Sequence, residues 1–273
     1  MILQKFALYP YSEETTQLYM KTTDDVVTDK EKVELKTLAK VNLETYFNLF
    51  SCLKWKKYVG VESVYLRLKL NGIVKVKIDH LQVKDGDVER HGVLDEEIQS
   101  DASGYVTSNE FTLPEKGMLG VMIEAVSESV LYEVDFSTDQ TGMEENDICI
   151  GIGICTFKRE KYVERNMNLL KEGILNNPAA EAYDHIKICI SDNAGTLEPE
   201  KIENPEIHVV KNKNLGGVGG FTRTMVEYLN GEEKISHVLL MDDDAIILPE
   251  TIERNYLFLK HLKKKYYNYV IGG

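Results

Sequence analysis

From Asp147 to the carboxyl end, short continuous apolar runs alternate with segments of helical spacing, and this constrains the fold more than any other feature. The runs Ile148–Thr156, His185–Ser191, Glu206–Val210 and Ser236–Met241 read as strands buried on both faces, as in a parallel sheet. Between them, Tyr162, Val163, Met167, Leu170 and Ile174 repeat at helical spacing within Arg159–Ile174. A second helix covers Gly217–Leu229 behind a Gly-rich loop, and a third runs from Pro249 to about Lys264. A fifth strand is expected at Tyr269–Gly273. Such alternation, with right-handed crossovers, builds an open, mostly parallel sheet with flanking helices.

The first half follows another pattern. Ile2–Tyr9, Val61–Leu70, Val74–His80, Met118–Val126 and Val130–Phe136 are short, often alternating runs separated by Gly, Asp, Asn and Ser, which predicts a β-sandwich over residues 1–146. Within it, Val64, Leu66, Leu68 and Leu70 share a face, as do Val74, Val76 and Ile78. A three-residue Asn71–Ile73 hairpin loop keeps both apolar sets together and leaves Tyr65, Arg67, Lys69, Lys75 and Lys77 on the other face. The charged segment Thr22–Lys40 reads as a surface loop or a short irregular strand. Trp55, Tyr58 and Tyr105 could form a sugar platform, although buried packing is the commoner fate of such aromatics.

The chain of 273 residues is long enough for two domains with separate cores. Its net charge of −13 argues against general nucleic-acid binding, which needs a basic face to displace counterions. No apolar run approaches a membrane span and the amino end lacks the apolar core of a signal peptide, so a cytoplasmic protein is expected. Cys52, Cys149, Cys155 and Cys189 form no Cys-x-x-Cys pair and read as reduced core residues. The basic run Lys260–Lys265 reads first as a solvated helix face, with peripheral contact to anionic lipid as the other reading.

Four strand ends carry the chemistry. His237–Met241 ends in Asp242, Asp243 and Asp244, three carboxylates that a hard cation would relieve of their mutual repulsion. Extended backbone lets Asp242 and Asp244 face one Mn2+ or Mg2+ ion while Asp243 turns elsewhere. The bland reading of this triplet is a solvated loop or helix cap. Asn214-Leu-Gly-Gly-Val-Gly-Gly220 precedes a helix whose amino end suits a phosphate, but it fits neither the dinucleotide fingerprint nor the P-loop. Thr156 and Arg159 close one strand, and Asp192 and Asn193 close another. Arg223, one turn into its helix, suits a phosphate, a ribose or a plain surface role.

Cys155-Thr-Phe-Lys-Arg159, Ser191-Asp-Asn-Ala-Gly195, Asn214-Leu-Gly-Gly-Val-Gly-Gly-Phe-Thr-Arg223 and Leu240-Met-Asp-Asp-Asp244 together resemble a family-2 glycosyltransferase of the GT-A fold. Within that family the chain is similar to the galactan-polymerising galactofuranosyltransferases, whose first domain is also a β-sandwich. The resemblance implies a Rossmann-like GT-A sheet over 147–273, incomplete at its carboxyl end, with the catalytic base beyond Gly273 and little activity from these residues alone. It implies that Thr156, Arg159 and Asp192 contact uridine or diphosphate, with Arg223 on the donor side. Asn193, Gly216, Gly217 and Asp243 complete the expected donor-binding set, and Asp242 and Asp244 would bind the metal. The implied reaction is inverting transfer from a UDP-sugar, galactofuranose foremost and rhamnose or another hexose as the alternative, to a glycan or lipid-linked glycan. A homo-oligomer stays open. The reading of a different class is a non-catalytic glycan-binding module.

Overall fold

The computed structural model describes residues 1–9, 15–29, 31–268 and 270–271, with the backbone alone at 101–103. The chain divides into two compact units, one of Met1–Glu144 with His261–Gly273 and one of Glu145–Lys260. The sequence expectation placed the boundary two residues later and kept the last residues with the second unit.

The first unit is built on an eleven-stranded sheet, antiparallel at every pairing. Its strands are β1 (Ile2–Lys5), β2 (Lys21–Thr22), β3 (Val26–Thr28), β4 (Val33–Leu35), β5 (Lys40–Asn42), β6 (Phe50–Ser51), β7 (Ser63–Lys84), β8 (Asp87–Thr107), β9 (Phe111–Thr112), β10 (Met118–Ala125) and β11 (Ser129–Ser137). A four-residue helix, α1 (Thr16–Tyr19), and a π-helical turn at Lys54–Val59 interrupt them. The charged segment Thr22–Lys40 contains two of the short strands, and Val33 and Leu35 of β4 are buried.

The expected hairpin at Asn71–Ile73 does not form. Ser63–Lys84 is one strand of 22 residues. Val64, Leu66, Leu68, Leu70, Val74, Val76 and Ile78 are all buried, and all are even-numbered, so an unbroken strand already puts them on one face. Both readings predict the same apolar grouping, which is why the pattern could not separate them. Gly72 instead marks where the partner on one edge changes. β11 pairs with residues 65–71 and β10 with 74–81, while β8 follows the opposite edge over 67–84. The link from β10 to β11 turns beside Gly72, where the Ile73 N–H donates to the hydroxyls of Ser127 and Ser129 at 3.2 and 3.1 Å. Gly72 has φ +117°, and a Cβ there would lie 2.8 Å from the carbonyl oxygen of Glu128. The true β7–β8 turn is Asp85-Gly86, both at positive φ, with Lys84 opposite Asp87. That is the two-residue connection whose twist suits a hairpin.

The even face of β7 contributes to an aromatic core in which Trp55 stacks on Phe50 at 6.0 Å and Phe50 meets Phe136 at 4.6 Å. Trp55 is therefore no sugar platform. Tyr58 meets Tyr266 edge-on, and Tyr105 stays exposed with the Arg67 guanidinium 4.4 Å from its ring centre. Arg67 also pairs with buried Asp135 at 2.8 Å. Burial pushes the Asp135 carboxyl above its ordinary range, against the opposing hydrogen bonds from Arg67 and Ser137.

The second unit carries four parallel strands, β12 (Ile150–Thr156), β13 (Ile186–Asp192), β14 (Ile207–Lys211) and β15 (His237–Asp242), in the order β14-β13-β12-β15. The helices between them are α2 (Glu160–Leu170), which continues into a π-helical turn at Lys171–Leu175, α3 (Pro199–Ile202) and α4 (Gly216–Asn230), and α5 (Pro249–Lys260) follows β15. The third expected helix stops at Lys260 rather than Lys264, and a separate 3-10 turn covers Lys264–Tyr266. Of the expected fifth strand, residues 269, 272 and 273 lie outside the described residues, and Val270 and Ile271 are in no strand.

Gly151 and Gly153 of β12 serve packing. A Cβ on Gly151 would lie 2.8 Å from the Tyr228 ring, and one on Gly153 would strike Thr224, so these glycines let α4 settle onto the sheet. Tyr228 then donates its hydroxyl to the carbonyls of Ile152 at 2.7 Å and Lys187 at 3.1 Å. All four cysteines are free thiols. No helix among the described residues is long and apolar enough to cross a membrane.

The crowding at Gly72 sets a test. Gly72→Ala combines an unfavourable φ with a backbone clash and should cost about 2–4 kcal/mol. Gly86→Ala, at similar φ but with no atom within 4 Å, should cost only about 1 kcal/mol. Urea unfolding of the two variants measures both, and equal losses would show that the strand junction is not crowded.

Candidate functional site

In the second unit, parallel register brings the carboxyl ends of the four strands to one level. Thr156 lies opposite Asp192, Cys155 opposite Asp242, and Asp192 opposite Lys211. Hydrogen bonds lace this rim together. The Asn193 N–H donates to the Thr156 carbonyl at 3.0 Å, and the Asn212 N–H donates to the Asp192 carbonyl at 3.0 Å. The Asn212 amide donates to Asn193 Oδ1 at 2.9 Å, and Asn193 Nδ2 donates to the Gly216 carbonyl at 3.2 Å.

The acidic triplet splits into two kinds of carboxylate. Asp243 is buried and accepts the Thr156 hydroxyl at 2.8 Å and the Arg159 guanidinium at 3.3 Å. Asp242 and Asp244 are exposed, and Arg159 also donates to Asp244. Burying Asp243 without such partners would be costly, so the inward turn of this residue depends on Thr156 and Arg159.

Two further residues hold this loop, and the motif reading missed both. Asn166, fully buried on α2, donates to the carbonyls of Asp243 at 3.0 Å and Ala245 at 2.8 Å. Arg165 donates to the carbonyls of Asp244 at 3.2 Å and Ala245 at 3.0 Å. A sequence signal for Asn166 exists. It shares the buried stripe of α2 with Val163, Met167 and Leu170, and an amide among apolar side chains needs polar partners. Arg165 carries no comparable mark.

Asp192 is a turn residue in its geometry. One carboxylate oxygen accepts the N–H groups of Ala194 at 3.0 Å and Gly195 at 2.8 Å, and the other accepts that of Leu197 at 2.9 Å. Its carboxylate is thus engaged by three backbone donors at 1% exposure. The glycines Gly216, Gly217, Gly219 and Gly220 lie inside the start of α4 rather than in a loop before it. Gly220 is buried against Cys155, where any Cβ would collide with the thiol, while Gly216 and Gly217 are exposed at the rim. Burial, followed by the charges of Asp243 and Asp242, raises the Cys155 thiol and keeps it protonated. Arg223 lies about 10 Å along α4 from Gly216 at the usual helical rise and pairs with Glu227 at 2.6 Å. The structure therefore joins Thr156, Arg159, Asp243 and Asp244 directly and links Asn193 to Gly216, while Asp192 and Arg223 are engaged locally.

The donor chemistry suits a hard divalent ion in part. Asp242 and Asp244 offer exposed carboxylate oxygens on a rim that also presents the start of α4, although the described residues contain no group of three or more His, Cys, Asp or Glu side chains poised on one ion. Two carboxylates with the remaining ligands from a diphosphate and water is the usual arrangement for Mg2+ with nucleotides. The residues fit an ion shared with a phosphate ligand, not a closed all-protein cage.

Comparison with known proteins accords with the motifs. Residues 151–273 match the glycosyl transferase family 2 model, and residues 4–133 match that of the galactofuranosyltransferase 2 N-terminal domain. This chain carries a family-2 glycosyltransferase domain. That family implies the GT-A fold for the parallel unit. Galactofuranosyltransferase GlfT2 of Mycolicibacterium smegmatis is 22% identical over 81% of this chain and 34% of its own length. The GlfT2 of Mycobacterium tuberculosis is 23% identical over 79% of this chain and 34% of its own. The chain thus spans about a third of the length of these curated relatives. Among solved structures, the CBM22-1 xylan-binding domain of Paenibacillus barcinonensis Xyn10C aligns over 52% of this chain and 97% of that domain. Its identity is 11% and its TM-score 0.30, too slight a likeness to speak for fold or ligand.

Two substitutions separate support of the loop from support of the turn. Asp192→Ala leaves three backbone donors without their acceptor and should cost about 2 kcal/mol or more in denaturant unfolding. Asn166→Ala should cost a similar amount and, in addition, speed amide hydrogen exchange at 243–245. Unchanged exchange there would show that Arg159 and Arg165 suffice to hold the acidic loop.

Proposed function

We propose that this chain supplies the donor-binding part of a metal-dependent, inverting glycosyltransferase that uses a UDP-sugar, with UDP-galactofuranose the first candidate, to extend a cell-surface glycan. The observation that carries the reading is the split acidic triplet, with Asp243 locked inward by Thr156 and Arg159 and Asp242 and Asp244 left open at the rim. The similarity of both halves to GlfT2-type sequences supports the choice of sugar. On this reading the first unit is a β-sandwich, and the protein works on the cytoplasmic face of a membrane with a glycan or lipid-linked glycan as acceptor.

Asp242 and Asp244 would hold Mn2+ or Mg2+, which supplies positive charge opposite the departing diphosphate. The exposed start of α4 at Gly216 and Gly217 presents backbone N–H groups and the positive end of a helix to the same anion. Asn193 fixes that start through the Gly216 carbonyl, and Thr156 keeps Asp243 turned away from the donor. In direct displacement the acceptor hydroxyl loses its proton to a carboxylate base as the sugar transfers with inversion. No residue of the described rim is assigned that role.

Ligand linkage tests the reading. At about a hundredfold excess over Kd, bound ligand adds about 2.7 kcal/mol, a rise in Tm of roughly 5–10 °C for units of this size. UDP with Mn2+ should produce that rise, and UDP with chelator much less. Asp244→Ala should abolish the difference while leaving the unliganded Tm within about 2 °C, because the residue is exposed. A metal-dependent rise that survives in the variant would overturn the metal assignment.

A further inference from the structure

We infer that Arg159 is an internal counter-cation, which holds the Asp244 carboxylate in the absence of ligand and gives it up when a divalent cation and a diphosphate bind. The inference rests on the metal–diphosphate reading and adds a competition between guanidinium and metal for one carboxylate.

Three observations support the exchange. First, the two carboxylates bound by Arg159 differ in their other partners. Asp243 keeps the Thr156 hydroxyl at 2.8 Å if the guanidinium leaves, whereas Arg159 is the side-chain partner of Asp244 among the described residues. Departure therefore frees Asp244 and leaves Asp243 bonded. Second, Arg159 is not the sole support of the loop's backbone path. Asn166 and Arg165 hold the carbonyls of Asp243, Asp244 and Ala245. Third, the pair is in water. The Arg159 and Asp244 side chains are 47% and 49% exposed, and exposed ion pairs are weak enough for a competing ion to displace.

The position of Arg159 suits movement. It precedes α2 at φ −130° and ψ 44°, outside helical geometry, and its guanidinium also lies 6.0 Å from the centre of the Tyr162 ring. A guanidinium released at this rim has a natural new partner, because its fork binds phosphate in bidentate fashion. The exchange adds no net charge of one sign, because the divalent cation enters together with the anionic diphosphate. A divalent ion replaces one positive charge on the carboxylates while the freed guanidinium meets the added negative charge of the diphosphate.

Mn2+ binding without nucleotide, followed by electron paramagnetic resonance, tests the competition directly. Arg159→Gln should bind Mn2+ roughly two- to fivefold tighter than wild type, the range set by the strength of exposed ion pairs. The same variant should bind UDP in the presence of Mn2+ about tenfold more weakly by calorimetry, having lost a charged hydrogen bond to phosphate. Arg159→Lys should restore the wild-type Mn2+ affinity but only part of the UDP affinity, since it keeps the charge without the fork. A purely structural clamp predicts the opposite sign, with Mn2+ binding unchanged or weaker in Arg159→Gln, and that result overturns the inference. A further readout needs no variant: the Arg159 side-chain Nε–H resonance should shift when Mg2+ and UDP are added together to the wild-type chain, and an unmoved resonance also overturns it. Failure of the underlying reading is distinguishable, because wild type and Asp244→Asn would then bind Mn2+ equally.

Discussion

Three consecutive carboxylates at the end of one strand repel one another, and the way that repulsion is relieved sets the geometry of the parallel unit's rim. Asp243 goes inward and is neutralised by Arg159 and bonded by Thr156, while Asp242 and Asp244 stay in water. This arrangement requires β12 and β15 to be neighbours, because Thr156 ends the first and the triplet begins at the last residue of the second. It also requires α2 to lie where Arg159, Arg165 and Asn166 can all reach the loop. The apolar stripe of Val163, Met167 and Leu170 fixes that face of α2 inward and carries Asn166 with it. Burial of three apolar side chains, worth roughly 1.5–3 kcal/mol each, thus positions polar groups whose own net contributions are smaller.

The level rim depends equally on small residues in β12. Gly151 and Gly153 allow Tyr228 and Thr224 of α4 to approach the sheet, and Gly220 allows the start of α4 to meet Cys155. Side chains at those positions would lift the helix, and with it the exposed Gly216 and Gly217 amides, away from the acidic loop. The many glycines near the motifs thus serve two purposes. Some give backbone to a ligand, but several are there because a helix packs close.

In the antiparallel unit one long strand plays the organising role. β7 shares its length with β8 along one edge and divides the other between β11 and β10. Gly72 makes that division, since only a residue without Cβ fits beside the Ser127–Ser129 turn at positive φ. The outward face of the same strand carries Arg67, whose guanidinium both covers Tyr105 and neutralises buried Asp135.

The sequence by itself determined a good deal. Strand–helix alternation specified the parallel unit, because continuous apolar runs call for cover on both faces, although the edge strand β15 departs from this, with Val238 and Leu240 exposed. The acidic triplet, Thr156, Arg159 and the Gly216–Gly220 run were all legible as rim residues, and the rim does bring them to one end of the sheet. Tertiary structure decided the rest. Alternation of period two is identical for a hairpin with an odd loop and for a straight strand, so only the partners of β7 could choose the latter. Asp192 has the composition of a binding residue, but three nearby backbone N–H groups take up its carboxylate. Arg223 likewise found Glu227 one turn away on α4. Asn166 and Arg165 were silent in the motifs because their partners are backbone carbonyls about eighty residues away, and carbonyls leave no trace in sequence. Local pattern encodes which face a residue takes; which groups satisfy it is settled only when distant segments meet.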